Sequence, residues 1–151
     1  MTKFVFTVVG LLALSGVFWA CQSGDEAVKE TENEVFAVHD EVMPKIDDLF
    51  RLRKQLNQRI VVLDSLKKTS SGTAVLRIDE ERQQAALLSR NLTVADSLMS
   101  NWMGQYKNDT IAELSPDNAM RYLSEQKDQI TDVKAKVNTS IEQARTFLGK
   151  K

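Results

Sequence analysis

Between Val35 and Leu63, positions 35, 39, 42, 46, 49, 53, 56, 60 and 63 hold Val, His, Val, Ile, Leu, Arg, Leu, Ile and Leu, in unbroken steps of four and three. Residues spaced in this way share one face of a helix, whereas a strand would scatter them over both faces. The stripe is therefore the seam of a coiled-coil-like helix, with apolar side chains seeking a partner of the same kind. It runs out at Lys67-Lys68-Thr69-Ser70-Ser71-Gly72, where cations suit a helix C-terminus and the Ser/Gly cluster breaks the pattern. A first helix is predicted over 27–68. Pro44 lies within it and, lacking an N–H, either bends this rod or divides it into two shorter helices.

The same spacing recurs at Ala85, Leu88, Leu92, Ala95, Met99, Trp102 and Tyr106, with Val75 and Ile78 leading in, and predicts a second helix over 74–107. Asn108-Asp109-Thr110 interrupts it. Ser115-Pro116-Asp117 then offers an N-cap serine, a proline suited to the first helical position and an early acid. The third seam takes Leu123, Gln126, Ile130, Val133, Val137, Ala144 and Leu148 and stops at Gly149 and two lysines. Three rods joined by short loops can bury three stripes against one another. The expected fold is all-α, an elongated up-down-up antiparallel three-helix bundle occupying 35–151. The polar seam residues Arg53 and Gln126 leave pairing with a second copy open, because such residues set register and partner.

The 20 basic and 21 acidic residues nearly cancel, which leaves no electrostatic footprint for nucleic acid. One cysteine, Cys21, rules out an internal disulfide. Its context supplies another use. Lys3, the apolar run from Phe4 to Leu14 and the small residue Ala20 before the cysteine read as a secretory signal peptide over 1–20. Ala20-Cys21 resembles the lipobox at which a lipoprotein is cut and its cysteine acylated, although Phe18 and Trp19 depart from the usual pattern. The expected address is the cell envelope, with lipid on Cys21 holding the chain to the outer membrane. Five acids against one lysine from Asp25 to Glu34 make 21–34 read as a solvated tether. This stretch also resembles the acidic signal that sends Bacteroidota lipoproteins to the surface, so periplasmic and surface-facing placements both stay open.

Candidates for chemistry are few. His39 sits on the first seam one turn from Met43, and Met99 and Met103 are also one turn apart. Imidazole and thioether together could ligate copper or haem iron. The competing reading makes His39 a hydrogen-bonded boundary residue and the methionines core fillers. No cofactor is expected on that reading, and no Cys-x-x-Cys-His permits covalent haem. Asp40, Glu41, Asp47 and Asp48 lie among Lys45 and Arg51 and read as a solvated face. With no Gly-x-Ser-x-Gly, Walker loop or His-Glu-x-x-His, enzymatic activity is not expected. Trp102, Met103 and Tyr106 form an aromatic and sulfur patch, a partner surface if exposed and a wide core layer if buried. Asp64-Ser65-Leu66, Asp96-Ser97-Leu98 and Asp109-Thr110-Ile111 match a short O-glycosylation sequon, the last of them in a predicted loop.

The lipobox, the acidic start, the block His39-Asp40-Glu41-Val42-Met43-Pro44-Lys45, and Ala95-Asp96-Ser97-Leu98-Met99 leading to Trp102-Met103 and Tyr106 together resemble a family of small Bacteroidota lipoproteins. That family is often labelled "viral A-type inclusion protein", a label that reflects coiled-coil similarity. The resemblance implies an envelope location and a helical fold, and it brings no catalytic residue. A lipid-anchored structural or protein-interaction module is the function expected, with a small metal- or haem-binding bundle as the alternative.

Overall fold

The computed structural model describes residues 18–149, with side chains from Gly24 onward. Most of the expected signal peptide and the side chain of Cys21 lie outside these limits. Every element within them is helical: α1 (Phe18–Val42), a single 3₁₀ turn (Met43–Lys45), α2 (Ile46–Lys67), α3 (Thr73–Gln105), α4 (Asn108–Ile111) and α5 (Pro116–Gly149).

Pro44 occupies the 3₁₀ turn, and the residues flanking that turn, Val42 and Ile46, keep right-handed helical angles. Its missing N–H removes one backbone bond without turning the chain away. Leu52 is buried in place of the expected Arg53, whose guanidinium lies at the edge 3.4 Å from Thr93 Oγ1 and 4.9 Å above the Phe50 ring.

Side-chain pairs fix the directions of the rods. Lys127 to Glu34, Lys134 to Glu41 and Lys45 to Asn138 all join residues 93 positions apart, so α5 runs parallel to α1 and stays in register across the turn. Between α2 and α3 the numbers rise on one rod as they fall on the other, through Arg53–Thr93, Asn57–Ser89, Asp64–Arg82 and Lys67–Asp79. Those two are antiparallel. The core between the rods is one continuous stripe from Val35 to Ala144 that includes Leu49, Leu56, Leu92, Met99, Leu123 and Ile130, each at most 1% exposed. Burying each such side chain contributes roughly 1.5–3 kcal/mol before entropy is set against it.

The acidic stretch differs from the expected tether. Residues 25–34 continue α1, Val28 packs on the core, and Thr31 Oγ1 donates to Ala27 O at 2.9 Å. A Cβ on Gly24 would come 3.3 Å from that of Pro116, so α1 rests on the start of α5 well before residue 27. The stretch is helical because Glu and Lys are good helix formers and α5 covers its inner face. Asn108–Ile111, expected as a loop, is a helical turn with Ile111 buried.

Gly72 closes the α2–α3 connection at φ 58 and ψ −135, the single positive φ among the described residues. A Cβ there would meet nothing within 4 Å, so the penalty for a side chain lies in the backbone alone. Gly72→Ala is expected to destabilise by about 1–2 kcal/mol. Urea unfolding should show a lower midpoint at unchanged slope.

Candidate functional site

The sequence-predicted residues converge at the end of the bundle where α3 finishes and α5 begins. The last turn of α3 presents Trp102, Tyr106 follows as the first residue past that helix, α1 brings Phe36 and His39, and α5 brings Tyr122. Four ring pairs stack through this layer: Phe36–Tyr106 edge-on at 5.3 Å, His39–Trp102 at 5.6 Å, Trp102–Tyr106 at 5.2 Å and Tyr106–Tyr122 at 6.0 Å. Such offset and edge-on contacts add to simple burial.

Of the expected patch, Trp102 is buried, Tyr106 half-buried and Met103 exposed. The aromatic layer is therefore mainly core, with a rim. The indole Nε1 of Trp102 and the Oε1 of Gln126 are both buried, and neither has a hydrogen-bond partner. Lys107 N–H donates to Tyr122 Oη at 2.8 Å, which ties the chain leaving α3 to α5.

Tyr106 Oη lies 3.4 Å from Glu32 Oε1. Burial, the Glu32 charge and neighbouring Tyr122 push its phenol well above the ordinary 10.0. The folded chain thus holds this proton more tightly than the unfolded chain, and the associated stability is whole below pH 10 and declines as the pH climbs further. In a Tyr122→Phe variant, where Tyr106 is the remaining tyrosine, phenolate absorbance is expected to rise only with loss of helical signal. Ionisation at the ordinary value with the helices intact would contradict this.

The proposed ligand set is divided between environments. His39 is half-buried with Nδ1 2.9 Å from Asp40 Oδ1, Met99 is fully buried in the core, and Met43 and Met103 are exposed. Among the described residues no group of three or more His, Cys, Asp or Glu could hold a metal ion. The imidazole does have the orienting carboxylate that a ligand or a boundary histidine would equally use.

Two of the four carboxylates, Glu41 and Asp48, add to their local partners a cation from α5 that local sequence does not reveal. Glu41 accepts from Lys134 at 2.6 Å and lies 3.5 Å from Lys45, and Asp48 is held by Arg51 at 2.5 Å and by Arg145. The hydrogen bond from Lys134 holds Glu41 below its ordinary pKa, and that from Arg51 does the same for Asp48. Carboxylates so held favour the ionised form and are poorly suited to proton donation near neutral pH.

All three sequons lie in helices, with Asp64 engaged by Arg82 and Asp96 4.0 Å from Arg53. The signal that sequence reading missed is on the outside. Phe50, Val61 and Val62 on α2 and Leu76, Leu87 and Val94 on α3 are all exposed. No protein-family model, curated protein or solved structure matches this chain.

Proposed function

We propose that this chain is a lipid-anchored cell-envelope protein whose helical bundle acts as a structural or protein-interaction module. The observation that carries the interaction half is the set of apolar side chains left in water on helices whose inner faces are already filled. Val61 and Leu76 are 65% and 64% exposed, and Leu76, Leu87 and Val94 recur at helical spacing along one outer face of α3. Apolar side chains aligned along one face, and not scattered singly, are what a partner surface requires.

The anchoring half rests on Lys3, the apolar run that follows and the Ala20-Cys21 pair, together with the resemblance to small Bacteroidota lipoproteins. Among the described residues no helix is long and apolar enough to cross a membrane. Attachment through acyl chains on Cys21 would hold the chain at an outer-membrane leaflet, periplasmic or surface-facing.

Mass spectrometry and metal analysis of protein purified from its native envelope test both halves. An N-terminus at Cys21 carrying lipid, without stoichiometric metal or haem, is the expected result. Bound copper or haem that disappears in His39→Ala would replace this reading with the metal-binding one.

A further inference from the structure

The outer face of α3 carries a second heptad-like stripe, independent of the one that faces the core. Leu76, Glu80, Gln83, Leu87, Arg90 and Val94 follow steps of four, three, four, three and four, and all six are exposed. Glu80 and Arg90 make no ion pair among the described residues. Their neighbours Asp79, Glu81 and Arg82 are engaged by Lys67, Arg59 and Asp64 of α2.

The order of this stripe is self-complementary. Laid antiparallel against its own copy about a two-fold axis near position 85, Leu76 meets Val94, Glu80 meets Arg90, and Gln83 meets Leu87. Each position then recurs in the mirror layer. Antiparallel coiled coils join their two seam positions in this crossed fashion, and an isologous interface demands that residue i meet j while j meets i. By contrast, the exposed stripe of α2 runs Phe50, Lys54, Asn57, Val61 beside Arg53 and contains no acid. Laid antiparallel on a copy, that face sets Phe50 against Val61 and Lys54 against Asn57, so it offers no ion pair to fix a partner.

We infer that α3 pairs antiparallel with α3 of a second copy of this chain through Leu76, Glu80, Gln83, Leu87, Arg90 and Val94. This rests on the interaction-module reading and names its partner. The stripe covers about 27 Å of helix, so the contact is small and reversible unless attachment to one surface raises the local concentration.

Charge exchange at the two ionic layers tests the pairing by sedimentation of the full chain in detergent, with circular dichroism to confirm unchanged helix. Glu80→Arg and Arg90→Glu each convert both layers to like charges and are expected to weaken self-association by about tenfold. Mixing the two variants, or combining both substitutions in one chain, should restore it, because opposite charges then face each other again. Variants that associate like the parent, or a mixture without preference for the mixed pair, would overturn the inference. A chain that stays monomeric while its Leu87 face cross-links to a different envelope protein would also overturn it, and would leave the interaction-module reading standing.

Discussion

Trp102→Ala is expected to lower the unfolding free energy by about 3–5 kcal/mol, the largest effect of any single truncation in the bundle. Trp102 is 5% exposed and stacks on both His39 and Tyr106, so its removal empties a layer that three rods share. Trp102→Phe should behave differently. The indole N–H has no partner, and burying an unmet donor is itself unfavourable by about 1–3 kcal/mol, which offsets much of the volume lost to the smaller ring. Phenylalanine is therefore expected to destabilise by less than about 1.5 kcal/mol. Chemical denaturation of the two variants decides the matter, and equal losses would mean that the indole nitrogen has a partner in solution.

Met99→Ala should destabilise by about 3 kcal/mol, because Met99 is fully buried at the middle of the common stripe. Met99→Leu conserves volume and should lose no more than about 1.5 kcal/mol. This pair of variants also separates the two readings of the methionine. A core filler tolerates leucine with its properties intact, whereas a thioether ligand would lose any bound copper or haem in both variants. Thermal unfolding and metal content of the same preparations provide both readouts.

Most of the fold was legible because the seams are long and regular. Ala85, Leu88, Leu92, Ala95, Met99 and Trp102 were read from spacing and are all buried, and Gly72 and Pro116 mark their connections as expected. The phase carried through Pro44, since Leu49, Leu56 and Leu63 are buried where the spacing put them, and one step differs: Leu52 and Arg53 flank the same stripe and the apolar one takes the inside. The acidic stretch was misread for a different reason. Its composition is compatible with both tether and helix, and what decides is the covering face of α5, to which Glu34 reaches through Lys127. The site was less legible. Trp102 and Tyr106 were read as one patch and His39 apart from them, because the contact of His39 with Trp102 depends on registry between helices. The outer stripe of α3 has the same four-three spacing as the seams and went unread because only three of its six residues are apolar.

A continuous α1 changes what an anchor at Cys21 would do. A flexible leash of about 14 residues would let the domain wander on the order of 20 Å from its lipid. A helix that already rests on α5 at Gly24 leaves almost no such slack. Since Glu32 lies level with Tyr106, Cys21 stands beyond the far end of α3 as measured from position 85. Antiparallel pairing there would set the two lipid sites on the order of 90 Å apart, at opposite ends of the dimer. Such a dimer cannot stand upright on one membrane: it either lies flat along a single leaflet or bridges two surfaces that face each other.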